Sequence, residues 1–116
     1  MNKNIKKLDE MLLSCGLRDS MFGTDYVRWA VMFYEPGMSM TKELYPAVAS
    51  AVGSSSVRVE RCIRSAIESG FSRCGCNSEV QEIFRNCIAP DKVRPTNCEF
   101  IARLAHLCSE DINYEK

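Results

Sequence analysis

Histidine is all but missing from this chain: His106 is the only one among 116 residues. That removes the histidine half of the common zinc motifs and the general base that a serine or cysteine nucleophile needs. Net charge is missing too, because 15 lysines and arginines balance 15 aspartates and glutamates. The chain as a whole therefore exerts no strong pull on either sign of partner. No apolar run approaches the roughly 20 residues of a membrane-spanning helix. The N-terminal stretch "MNKNIKKLDEMLLSCG" has lysines and a short apolar patch broken by Asp9 and Glu10, without the apolar centre of a signal peptide. A cytoplasmic protein is the expectation. No segment alternates apolar and polar residues as a strand does, and no Asn-Gly or Asp-Gly pair marks a hairpin. Gly37 and Gly53 stand alone rather than in a phosphate-cradling loop, so an enzyme is not expected and no catalytic residue is assigned.

Cysteine, in contrast, is abundant, with seven residues. The number is odd and no export signal accompanies it, so a disulfide framework is not expected. Cys74 and Cys76 form one close pair, but the second pair that a tetrahedral zinc site needs is absent. The thiols read as reduced, filling small apolar positions, with no metal and no cofactor. Hydrophobic residues at 46 % and charged residues at 26 % supply one core, and residues 1–116 read as a single domain.

The periodicity is helical throughout, which predicts an all-α domain of six helices. Ile5, Leu8, Met11, Leu12 and Cys15 recur at helical spacing up to a stop at Gly16. A second helix carries Tyr26, Trp29, Ala30 and Phe33 on one face, with Thr24 as its expected N-cap and Glu35-Pro36-Gly37 as its break. Met11, Phe22, Trp29 and Phe33 are expected in the core. A short third helix with Pro46 in its first turn ends at Gly53. The fourth runs from the serines to about Phe71, and "SRCGCN" reads as a loop. A fifth covers "SEVQEIFRNCI", with Ser78 and Gln81 at capping-box spacing. "APDKVRP" is a second loop. The sixth opens with Thr96 and Glu99 as a capping box and continues through Phe100, Ile101, Leu104, Ala105 and Cys108. His106 in that helix reads as a packing or surface residue.

The third and fourth helices together fit a helix-turn-helix over about 44–71. Such a unit needs a small residue where the helices cross, a glycine at the turn, and apolar residues that lock the angle. Ala49 and Gly53 meet the first two needs, and Val48, Val52, Val59 and Cys62 the third. Projected at about 100° per residue, Val59, Ile63, Ala66 and Gly70 form the buried stripe of the fourth helix. Arg61 points directly away from it, flanked by Arg58, Arg64 and Ser65. Exposed arginines often only keep a helix soluble, and Arg64 is either a phosphate contact or the i,i+4 partner of Glu68. The placement also suits DNA. Arginine forks onto guanine O6 and N7, and Glu60 can accept from cytosine N4. Ser54, Ser55 and Ser56 sit at a helix N-terminus, where backbone N–H groups favour phosphate.

The segments "TKELYP", "RVER", "IRSAIE" and "PTN" followed by "EFIA" resemble the C-terminal effector domain of stage-zero sporulation protein A, the response regulator that starts endospore formation. The resemblance covers roughly residues 8 to 108. It implies a six-helix fold with a helix-turn-helix in the third and fourth helices, a double-stranded DNA operator box often present in tandem, meeting of DNA-bound neighbours at the final helix, and contact with RNA polymerase sigma factors. The base-reading positions it implies are Arg58, Glu60 and Arg61. The phosphate contacts are Ser54, Ser55, Ser56, Arg64, Arg73, Arg94, Thr96 and Asn97. Two departures stand out. The chain leaves no room for the receiver domain of full-length regulators. Val57 also replaces a serine, so helix capping would pass to Ser55 or Ser56. The competing expectation is a stand-alone interaction module that pairs with a full-length sporulation regulator and has no DNA activity of its own. Sequence-specific DNA binding by a nucleoid-associated regulator is the leading one.

Overall fold

The computed structural model describes residues 3–18, 22–74, 78–84 and 94–114. Among them are six α-helices and no strand: α1 Ile5–Ser14, α2 Phe22–Phe33, α3 Tyr45–Val52, α4 Ser56–Cys74, α5 Ser78–Ile83 and α6 Asn97–Tyr114, with a five-residue π-helical turn, Met40–Leu44, leading into α3. The all-α, six-helix expectation holds.

Local chemistry sets most boundaries. Asn4 caps α1 by accepting from the Lys7 N–H at 3.0 Å. The helix ends in a left-handed Gly16 at φ 84°. There the Gly16 N–H reaches Leu13 O and the Leu17 N–H reaches Leu12 O, the paired bonds of a Schellman ending. Leu17 then drops into the core at 1 % exposure. Lys3 donates to the carbonyls of Met32 and Tyr34 at the end of α2, a cation where the helix dipole is negative. The α6 capping box forms as expected: Glu99 N–H donates to Thr96 Oγ1 at 3.1 Å, and Thr96 N–H to Glu99 Oε1 at 2.8 Å.

Three expectations are corrected here, and one boundary gains a detail. The helix leading to Gly53 starts at Tyr45 with Pro46 in its first turn, as expected, and what the spacing did not announce is the turn before it. The π turn precedes it, with Tyr45 N–H donating to Met40 O. In a regular helix the Pro46 ring would press on the Lys42 carbonyl, and the wider turn relieves that contact. Thr24 is not an N-cap: α2 already begins at Phe22 and turns Thr24 fully into the core. Phe22 and Trp29 are not core residues. They are 69 % and 42 % exposed, because the described helices that bury the adjacent stripe of α2 do not extend over this flank. Trp29 instead leans on the partly buried Phe33, ring centroids 5.4 Å apart. Finally, α4 continues through Ser72 and Arg73 to Cys74, past the expected end at Phe71. The Arg73 guanidinium donates to the Gly16 carbonyl and anchors this last turn. The expected fifth helix is described only to Ile83, and its continuation to residue 88 lies outside the described residues, as do most of "APDKVRP" and the pair partner Cys76.

α2 lies against α3, α4 and α6, and α4 also packs on α3 and α6. The stripe read for α4 is buried: Val59 and Ile63 at 0 %, Ala66 at 1 %, with Gly70 also inside. Phe71, Phe84 and Phe100 join α4, the end of α5 and α6 in one aromatic cluster, with centroids 5.4–6.2 Å apart. Burying each ring is worth roughly 1.5–3 kcal/mol. No helix among the described residues is long and apolar enough to cross a membrane.

Candidate nucleic-acid interface

The interface is built from the turn between α3 and α4. Gly53 is left-handed at φ 70°, with open space around the position a Cβ would take. Its requirement is conformational: an L-residue there would cost roughly 1–2 kcal/mol. Ser54 N–H closes the turn onto Ala49 O at 2.9 Å. Ser55 is the N-cap of α4, its Oγ accepting from the Arg58 N–H at 3.2 Å. This is the replacement cap anticipated from Val57, whose own side chain is 61 % exposed. Ser54 Oγ is buried with no partner among the described residues, and Ser56 is the first residue of α4.

From this start α4 presents Arg58, Arg61, Arg64 and Ser65 to solvent and keeps Glu60 half-buried. No acidic side chain among the described residues pairs with Arg61. Arg58 is reached by the hydroxyl of Tyr26 on α2. The hydrogen bond from the guanidinium to that oxygen holds Arg58 above the usual arginine range. Tyr26 drew no attention in the sequence beyond its apolar spacing, since nothing local announces a contact across 32 positions.

On its other flank α4 borders an open groove of about 810 Å³ that runs to the N-terminus of α6. The groove brings together four of the residues assigned to phosphate, Arg64, Arg94, Thr96 and Asn97, along with Glu60 and Glu68. Arg64 pairs with Glu60 at 2.5 Å, not with Glu68 as the spacing allowed. Glu68 is taken by Arg94 from across the groove at 3.0 Å, and a glutamate one turn N-terminal to its cation is the better-oriented helical pair. Both pairs are half-exposed, and such pairs contribute about 0–1 kcal/mol. Their arginines can therefore exchange a carboxylate for another anion at small cost.

Two assigned residues are bonded to other parts of the fold. Arg73 donates to Gly16 O, 57 positions away. Asn97 Nδ2 donates to Tyr45 Oη at 3.1 Å and to the Glu60 carbonyl at 3.3 Å. Tyr45 is held above its ordinary pKa of 10.0, mainly by burial, with the Asn97 hydrogen bond pulling the other way. Its phenol is neutral at physiological pH. The cysteines described, Cys15, Cys62, Cys98 and Cys108, are all unbridged, and no cluster among the described residues has the donors to hold a metal ion. His106 is exposed.

Compared with known families, residues 8–107 match the family model described as Sporulation initiation factor Spo0A C terminal, a helical DNA-binding domain.

Proposed function

The chain belongs to the Spo0A C-terminal family of DNA-binding sporulation effector domains, and we propose that it reads duplex DNA by laying α4 in the major groove. On this reading α3, the Gly53 turn and α4 form the helix-turn-helix. Arg58 and Arg61 fork onto guanine O6 and N7. Glu60 accepts from a cytosine N4 once Arg64 turns from it to a phosphate. Ser55 and Ser56 meet the backbone at the start of α4 with its first N–H groups, whereas Ser54, assigned to phosphate from the sequence, keeps its hydroxyl buried and its N–H on Ala49 O. Arg64, Arg94 and Thr96 track the DNA backbone along the groove. Arg73 and Asn97 belong to the frame instead: one Arg73 donor holds the Gly16 carbonyl, and both Asn97 donors are taken by Tyr45 and Glu60. The family's sigma-factor contact, tandem operator boxes and self-association on DNA are part of the same proposal, as is a place in the cytoplasm on the nucleoid.

The observation that carries the reading is the exposed Arg58–Arg61 pair on the first two turns of a helix that starts at a tight glycine turn, with Arg61 unopposed by any carboxylate among the described residues. Formal neutrality does not weaken it, since the local field and not the total charge meets the DNA. Selecting bound duplexes from a random pool at physiological salt tests it. One enriched box is expected. A protein that enriches none, while co-purifying with a full-length sporulation regulator, would establish the interaction-module alternative instead.

A further inference from the structure

We propose that Asn97 is a positioning residue for DNA reading: one side-chain amide ties the starts of α3, α4 and α6 together and fixes how α4 is presented. This rests on the DNA-reading role of α4. An asparagine amide has two N–H donors. One goes to Tyr45 Oη, on the first residue of α3, and the other to the main-chain carbonyl of Glu60 in the second turn of α4. That carbonyl can only accept, so it fixes the amide with its nitrogen toward α4. What remains is Oδ1, an acceptor, and a phosphate oxygen is an acceptor as well. The Asn97 side chain therefore has nothing to offer the DNA backbone without giving up the bridge.

The bridge is well placed to matter. Glu60 O lies in the same turn as Arg58 and Arg61. A helical carbonyl has a second lone pair free beside its i+4 bond, so the extra donor costs α4 nothing. Asn97 is itself held by the Thr96–Glu99 capping box immediately around it. Tyr45 is nearly buried, at 5 % exposure, beneath the groove. A movement of α4 by a fraction of an ångström is what bidentate contacts to base edges tolerate least.

The test compares Asn97→Ala and Tyr45→Phe with the unmodified chain on an enriched duplex and a scrambled one, over a salt series, with folding followed by circular dichroism. Tyr45→Phe keeps the buried ring and loses only the hydroxyl, so it covers the case in which Asn97→Ala fails to fold. The expected result is a roughly tenfold loss of affinity for the enriched duplex in Asn97→Ala, the scale of one or two hydrogen bonds. A smaller loss is expected in Tyr45→Phe, together with a reduced preference over the scrambled duplex and an unchanged salt slope. The double variant should lose less than the two single losses multiplied together, because both act on one bridge. A salt slope lowered by about 1 with the preference intact would make Asn97 a phosphate contact and overturn the proposal. So would binding unchanged in both variants. If the unmodified chain shows no preference for any duplex, the DNA reading itself fails, and the positioning role falls with it.

Discussion

Replacing Gly23 by alanine sets two effects of opposite sign against each other. Gly23 is the second residue of α2, where it meets α4 at close range. A Cβ there would stand 2.4 Å from the Cys62 carbonyl oxygen and 2.6 Å from the Ala66 Cβ. Ordinary contact distances are about 3.5–4.0 Å, so the two helices must separate by roughly 1 Å. One of the clashing groups is main chain, which leaves no side-chain rotation to relieve it. Overpacking of this kind costs about 1–3 kcal/mol. Helix propensity works the other way by at most about 1 kcal/mol, and less at the second helical position than in the interior. The net destabilisation is about 1–2 kcal/mol. For a domain of this size that lowers the melting temperature by roughly 4–8 °C. A thermal melt followed by helical circular dichroism measures it. The variant should also bind duplex DNA more weakly while still folded, because α4 is the helix displaced. A melting temperature unchanged or raised would refute the close α2–α4 approach and, with it, the seat assigned to α4.

Three further outcomes follow from the same geometry. Burial raises the Tyr45 pKa above 10.0, so above about pH 10 the unfolded chain releases this proton before the folded one does. Stability is fully present below that pH and falls as pH rises through the folded pKa. In urea titrations Tyr45→Phe should lose that part of the alkaline decline, and an identical decline in both proteins would contradict the assignment. Thr96→Ala removes the α6 cap and should cost about 1 kcal/mol in the same titrations. An unchanged midpoint would mean that the capping box does not hold α6. Glu68→Gln frees Arg94 from its groove partner. Stability should change by less than about 1 kcal/mol, while DNA affinity at low salt rises and the salt slope steepens, read by fluorescence anisotropy. A weaker complex would show that Arg94 does not face the backbone.

The sequence made the helical frame legible where one helix could be judged alone. The α4 stripe, the Gly16 and Gly53 stops and the Thr96–Glu99 box all depend on residues within a turn or two of each other. The errors came where a distant element decides. Phe22 and Trp29 fit an apolar face but lie on a flank of α2 that none of the described residues covers. Glu68 has the right spacing for Arg64, yet Arg94 from before α6 claims it. Arg73 extends α4 because a carbonyl 57 positions away accepts from it. In the interface, the outward placement of Arg58 and Arg61 followed from the buried stripe opposite them. The Tyr26 contact and the Asn97 bridge, spanning 52 positions to Tyr45 and 37 to Glu60, leave no local pattern to read. The resemblance carried by "RVER" and "PTN" pointed at the surface proposed above while leaving open which of its residues face the DNA and which hold the frame.

The most direct test of base reading by α4 is the affinity of the unmodified chain and of Arg61→Ala for an enriched duplex and its scrambled counterpart across a salt series. The account predicts that binding weakens steeply with salt, by about −0.9 in the logarithmic slope for each phosphate neutralised. It predicts that Arg61→Ala costs roughly 1–3 kcal/mol on the enriched duplex, little on the scrambled one, and flattens the preference between them. A salt-independent affinity, or a preference that survives Arg61→Ala intact, would contradict it.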